Sequence, residues 1–162
     1  MKTDHDAIHA EEHGVRRSPR WPAVERAFLK AKPWCECCGR DKVLPRGVQV
    51  HHCFPFHFAI LLGRPDLELD PRNLIGLCET EKGIILPCHH VLLGHLDLFK
   101  SYNAHVREDA AHRYHGWSAA QIKACPVWQA MVASRPKLWQ DMTDEDKRAM
   151  RAAMDRLLPR SA

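Results

Sequence analysis

The chain has 162 residues, with 24 Lys+Arg against 20 Asp+Glu, 12 His and 7 Cys, and it is 45% hydrophobic against 27% charged. That supplies apolar material for a core and excludes wholesale disorder and collagen-like structure, and no apolar run approaches the roughly 20 residues of a membrane-spanning helix. The N-terminus, Met1-Lys2-Thr3-Asp4-His5-Asp6, leads into no apolar stretch of the secretory kind, so the expectation is a soluble protein with no membrane partner in a reducing cytoplasm. Disulfides are then a poor use for seven cysteines.

Charge is uneven along the chain. Residues 1–13 carry one Lys against four acids, whereas residues 14–50 carry nine basic residues (Arg16, Arg17, Arg20, Arg26, Lys30, Lys32, Arg40, Lys42, Arg46) against Glu25, Glu36 and Asp41. A surplus of that kind suits a polyanion, although a basic run is also an ordinary solvated face.

Taken in order, Ser18-Pro19-Arg20-Trp21-Pro22 opens a short helix in which Ala23, Val24, Ala27, Phe28 and Ala31 fall at helical spacing before Pro33 ends it. Cys35-Glu36-Cys37-Cys38-Gly39 reads as a tight knuckle, and Gly47-Val48-Gln49-Val50-His51-His52 alternates like a strand. Residues 53–69 suit a long loop with a helical turn, and Asn73-Leu74-Ile75-Gly76-Leu77-Cys78 a second strand. Residues 88–98 have helical content, but Gly94 predicts a short or irregular helix. Further on, Ser118 caps a helix that Pro126 interrupts, and Val127, Met131 and Val132 mark another. Thr143-Asp144-Glu145-Asp146 starts a final amphipathic helix with Met150, Met154, Leu157 and Leu158 on one side. Trp128, Leu138 and Trp139 read as core. The expected domains are a flexible tail over 1–17, a core over 18–105 and a helical extension over 106–162.

Cys35 and Cys38 form a C-x2-C followed by glycine, a spacing that lets two thiolates from one turn bind one tetrahedral ion. Cys78 after the second strand and Cys88 at the next helix offer two more sulfurs for a structural zinc site. A buried cysteine is otherwise a small hydrophobe, the reading adopted for Cys53 and Cys125 and left open for Cys37. His51, His52 and His89 stand where a metal-assisted hydrolase needs imidazoles, as ligand or as proton acceptor. Consecutive strand residues point to opposite faces, so His51 and His52 serve one site only if the strand ends or bends there. His5, His9, His13, His105, His112 and His115 read as structural or solvated.

In combination, Cys35-x2-Cys38-Gly39, Val50-His51-His52, Asp70-Pro71-x-Asn73-Leu74-Ile75-x-Leu77-Cys78 and Cys88-His89 resemble the HNH endonuclease family over about residues 18–105. The family's compact L-C-x2-C-H tail is here opened by residues 79–87. Cys88-His89, Gly94-His95 and Ser101-Tyr102-Asn103 also resemble a subgroup of small HNH proteins. The resemblance implies an α+β protein with a small ββα-metal, treble-clef-like core and a zinc knuckle, flanked by an N-terminal helix and a helical C-terminal extension. It implies metal-dependent hydrolysis of nucleic-acid phosphodiesters, DNA before RNA. His52 would be the general base, His51 and His89 ligands of one catalytic divalent ion (Mg, Mn, Ni, Co or Zn), and Asn73 the residue holding the loop that orients His52. Cys35, Cys38, Cys78 and Cys88 would hold structural zinc. His95, six residues after His89, is a third ligand if Gly94 ends or distorts the helix, with His90 and His57 as alternatives. Arg16, Arg17, Arg20, Lys30, Arg40, Lys42 and Arg46 are the expected phosphate contacts. The competing reading is a catalytically inactive, zinc-organised module that binds nucleic acid or protein. A redox protein built on Cys35-x2-Cys38 fits poorly, since no βαβ pattern surrounds the pair.

Overall fold

The computed structural model describes residues 15–39, 47–78, 88–98, 101–135 and 139–161. They form a mixed helix-and-sheet protein around a two-stranded sheet. Strand β1 (Val48–His52) runs antiparallel to β2 (Leu74–Cys78), pairing Val48 with Cys78, His51 with Ile75 and His52 with Leu74. Helix α1 (Trp21–Ala31) carries Pro22 in its first turn, where a missing N–H breaks no helical bond. Trp21, Val24, Phe28 and Leu29 pack with Val50, Leu74 and Leu69 on one side of the sheet. Of the residues at helical spacing, Val24 and Phe28 thus turn inward, whereas Ala23, Ala27 and Ala31 face solvent. Two stripes of α1 have helical spacing, and the one with larger side chains turns inward because it removes more apolar area from water.

Residues 53–69 are more regular than the expected loop. Pro55 precedes a short helix, α2 (Phe56–Leu61), and a 3-10 turn follows at Pro65–Glu68. A six-residue helix is too short to show a period in an apolar run. Phe54, Phe58, Ala59 and Leu67 build a second cluster with Tyr102 and with Met150, Met154 and Leu158 from the C-terminal helix. After β2, Cys88–Leu92 forms a π turn, and α3 (Val106–Glu108) runs into a second π turn at Asp109–Arg113. Ser118 caps α4 (Ala119–Ala124) in a capping box with Gln121, and Pro126 separates it from α5 (Pro126–Ala133). Thr143 and Asp146 form the same box at the start of α6 (Asp144–Leu157), with three acids in its first turn. Leu157, expected on the buried stripe, is 57% exposed; it lies at the stripe's edge, and Leu158 after the helix end turns inward in its place.

The extension is joined to the core rather than appended to it. Val106, Ala110, Tyr114, Ile122 and Trp128 share one cluster with Cys35, Cys78, Cys88 and Leu92. Within the expected tail, Val15 is buried and the Arg17 guanidinium lies over the Trp21 ring at 4.6 Å and over Phe56 at 4.3 Å. Residues 1–14 and Leu138 lie outside the described residues; Trp128 is buried and Trp139 packs on Phe58. Among the described residues no helix is long and apolar enough to cross a membrane.

Arg64 fastens α6 to this scaffold. Its side chain is fully buried, its guanidinium donates to Asp66 at 2.7 Å, to Asp155 at 2.9 Å and to the Leu158 carbonyl at 2.7 Å. The Arg64 hydrogen bonds hold Asp66 below its usual range. For Asp155, slight burial raises the carboxyl, but Arg151 and Arg64 together bring it below the ordinary value. A depressed folded value contributes stability that is complete above the unfolded carboxylate range, about 4, and is lost as pH falls through the folded value. We therefore expect Arg64→Met to lower the urea midpoint at pH 6 and the gap to wild type to narrow between pH 4 and pH 2. A gap independent of pH would show that the carboxylates contribute nothing through Arg64.

Candidate functional site

Two clusters of ligating side chains meet at the π turn. Cys35, Cys38, Cys78 and Cys88 bring their sulfurs within 4.8 Å of one another. The knuckle supplies Cys35 and Cys38 and is stitched to β2 by a hydrogen bond from Glu36 N to Gly76 O at 2.8 Å and one from Gly76 N to the Glu36 carboxylate at 2.9 Å. Gly76 allows this approach, since a Cβ there would stand 2.9 Å from the Trp34 carbonyl oxygen. The end of β2 supplies Cys78, and the first residue of the π turn supplies Cys88, whose N–H donates to Cys78 Sγ at 3.4 Å.

The Cys38–Cys78 sulfur distance is 3.8 Å. Four sulfurs at about 2.3 Å from a tetrahedral zinc are about 3.8 Å apart, so that edge already has the size a ZnS4 site requires. At Cys35 the Cys38 thiol raises the pKa, but hydrogen bonds from Cys78 and Cys88 outweigh it and bring the group down to about 7. Donating toward Cys35 pushes Cys78 and Cys88 up. Four thiols that compete for shared protons are a donor set that a soft cation relieves. This cluster can hold a structural metal such as zinc.

The remaining cysteines stand apart from it as ligands. Cys37 is buried and its thiol lies 3.5 Å from the Tyr114 carbonyl oxygen. Burial pushes Cys53 up to about 11, with Arg107 opposing, and Cys125 is partly buried at the start of α5.

The second cluster is His51, His89 and His95, whose ring nitrogens also come within 4.8 Å of one another. The ring centroids are 4.9–5.0 Å apart in all three pairs. His89 and His95, which would diverge on a regular helix, converge because the turn is wide: Gly94 N donates to Cys88 O at 2.9 Å, and His95 N to His89 O, six residues back, at 2.8 Å. Gly94 thus distorts the helix as its composition predicts, and His95 joins the cluster. His95 Nδ1 donates to the Ser101 carbonyl at 2.8 Å, which fixes the tautomer and leaves Nε2 as a lone-pair donor. Three imidazoles suit a borderline cation such as zinc and leave a coordination position open. His57 does not join them; it is buried between Phe56 and Phe58. The side chain of His90 lies outside the described residues.

His52 turns to the other side of β1, as strand alternation requires, and β1 ends with it. Its ring packs against Trp21 at 4.7 Å and Phe56 at 5.7 Å, and Nε2 donates to the Glu68 carbonyl at 2.8 Å. A carbonyl only accepts, so Nε2 carries the proton and Nδ1 is the basic nitrogen. Asn73, fully buried, holds the chain beyond His52: Oδ1 accepts from Phe54 N at 2.8 Å, and Nδ2 donates to the Phe54 and Leu67 carbonyls at 3.0 Å. Arg107 braces Asn73 by donating to the Arg72 and Leu74 carbonyls on either side of it, each at 2.8 Å.

Of the expected phosphate contacts, Arg16, Arg20 and Lys30 are exposed and Arg17 is half-buried over its two rings, which are the rings that flank His52. Arg40, Lys42 and Arg46 lie outside the described residues. His105, His112 and His115 are exposed, in keeping with a solvated reading. Sequence reasoning passed over Glu68 and Arg107 and met Ser101 only as part of the Ser101-Tyr102-Asn103 motif, without a role; Glu68 and Ser101 act through backbone carbonyls, which leave no residue-type signal, and Arg107 differs from any surface arginine only in its fold. Comparison with family models, with curated proteins and with solved structures finds no match to this chain.

Proposed function

We propose that the protein is a metal-dependent endonuclease of the HNH type, hydrolysing phosphodiester bonds of DNA. The observation that carries this reading is the division of labour at the end of β1: His51 joins His89 and His95 in a three-imidazole cluster, while His52 is held in the tautomer whose Nδ1 can take a proton. A purely structural metal protein has no use for that second, oriented imidazole. A divalent ion held by His51, His89 and His95 would supply charge for a phosphate oxygen and for the oxygen that leaves. His52 Nδ1 accepts the proton of the attacking water, and the Glu68 carbonyl steadies the imidazolium that results. Asn73 fixes the backbone at Phe54 and Leu67, next to the segments that bring Phe56 and the Glu68 carbonyl against that ring. The guanidinium of Arg17, stacked and so limited in its rotamers, faces backbone phosphates together with Arg16, Arg20 and Lys30.

The test is cleavage of supercoiled plasmid with Mg, Mn, Ni, Zn or EDTA beside the His52→Ala variant. We expect metal-dependent nicking that drops about 100- to 10,000-fold in the variant, while metal content stays as in wild type and the chain stays folded with the lower unfolding midpoint that loss of a buried ring entails. Unchanged cleavage by His52→Ala would remove His52 as the base. Inactivity with every metal on plasmid, single-stranded DNA and RNA would overturn the nuclease and leave a zinc-organised binding module.

A further inference from the structure

The segment that carries His89 and His95 is held from outside at two points, one between the two histidines and one just past His95. Trp128 Nε1 of α5 donates to the Leu92 carbonyl at 2.7 Å, and Arg135, two residues beyond α5, donates through Nη1 to the Leu96 carbonyl at 2.9 Å. At the second tie, directly after His95, the backbone is strained: Leu96 and Asp97 have φ of 51° and 60°, in the left-handed region that most non-glycine residues avoid. Leu96 is fully buried there, and Leu98 N donates back to the His95 carbonyl at 3.1 Å, so the left-handed pair closes directly onto His95. Asp97 belongs to a residue type that tolerates this conformation, but local sequence gives Leu96 no reason to adopt it, and the Arg135 guanidinium is the side-chain tie on Leu96 among the described residues.

We propose that Arg135 is a positioning residue for the histidine centre: it locks the left-handed turn at Leu96 and Asp97, and so keeps His95 facing His51 and His89. The proposal rests on the reading of these three histidines as an ion site. It makes affinity there depend on a contact 39 residues away in sequence. Charge alone predicts the opposite effect for a substitution, because removing a cationic side chain near a cation site tightens the site. A loss of affinity on removing Arg135 is therefore the mark of positioning.

The experiment is calorimetric titration of the full chain with Ni2+, the cysteine cluster first loaded with zinc, for wild type, Arg135→Ala, Arg135→Ala with Asp97→Gly, and Asp97→Gly. We expect Arg135→Ala to bind the histidine-centre equivalent about tenfold more weakly, in the range that loss of outer-shell support produces, with zinc content unchanged. Asp97→Gly, which relaxes an exposed left-handed position, should restore most of that loss in the Arg135→Ala background. Unchanged or tighter Ni2+ binding by Arg135→Ala overturns the proposal, as does loss of zinc from the cysteine cluster in step with Ni2+ affinity, which would mean general unfolding. A wild-type protein that takes up no Ni2+ beyond the zinc overturns the ion-site reading first and this proposal with it.

Discussion

If the cysteine cluster holds a structural metal, replacing Cys78 by Ala should abolish metal binding there and lower the thermal midpoint by more than about 15 °C, the largest stability effect expected of any single substitution in the chain. Cys78 is fully buried at the end of β2, where it touches Cys38 at 3.8 Å and accepts from Cys88 N at 3.4 Å. Metal-thiolate bonds at that point would join three segments distant in sequence: the knuckle, the strand and the π turn. Without them these segments would rely on the apolar cluster they share with Val106, Tyr114 and Trp128 and on backbone hydrogen bonds. Apparent zinc-binding energies in small thiolate sites are of order 10 kcal/mol, well above what one buried side chain contributes. Metal analysis with differential scanning calorimetry checks this, with cobalt substitution to read sulfur ligation. Cys53→Ser and Cys125→Ser, outside the cluster, should keep the metal. A Cys78→Ala protein with full metal content and an unshifted midpoint would refute the cluster as a structural site.

The parts of this arrangement that sequence made legible are those encoded by local chemistry. Pro22 and Pro33 bracket α1, alternation and paired histidines mark β1, and Ser118 and Thr143 mark helix starts through oxygens that accept from the first turn. The four cysteines were readable as a set because their residue type is scarce and the C-x2-C spacing has a geometric meaning. The histidine centre was only half readable. Spacing rules written for 3.6 residues per turn separate His89 from His95, and a π turn, which no simple pattern announces, brings them together. Supports that act through backbone, such as the Glu68 carbonyl on His52 and the Ser101 carbonyl on His95, leave no trace in residue type. Arg64, Arg107 and Arg135 look like surface charges in sequence, yet each spends its guanidinium on internal carbonyls or carboxylates. A count of basic residues therefore overstates what this chain can offer a polyanion.

Gly94→Ala should abolish ion binding at the histidine centre, and with it metal-dependent cleavage, while the cysteine cluster keeps its metal. A Cβ at position 94 would overlap the His89 carbonyl oxygen and stand 3.2 Å from Cε1 of His51. The overlapped oxygen is the acceptor of the His95 N–H at 2.8 Å, so the methyl group cannot be accommodated without parting the two ligands that the hydrogen bond brings together. Overpacking of this kind costs about 1–3 kcal/mol, a loss the whole protein can survive, since β1, β2 and the knuckle do not depend on that bond. The ion site cannot survive it, because a shift of about 1 Å in ligand position removes a donor from reach. A drop in Ni2+ affinity of at least 100-fold, with zinc content unchanged, is the expected reading. The comparison with His52→Ala then separates the two halves of the proposed chemistry: Gly94→Ala should lose ion and cleavage together, His52→Ala cleavage alone. Full Ni2+ binding by Gly94→Ala would mean that the turn can rearrange without moving its histidines, and that the wide turn is not what builds the centre.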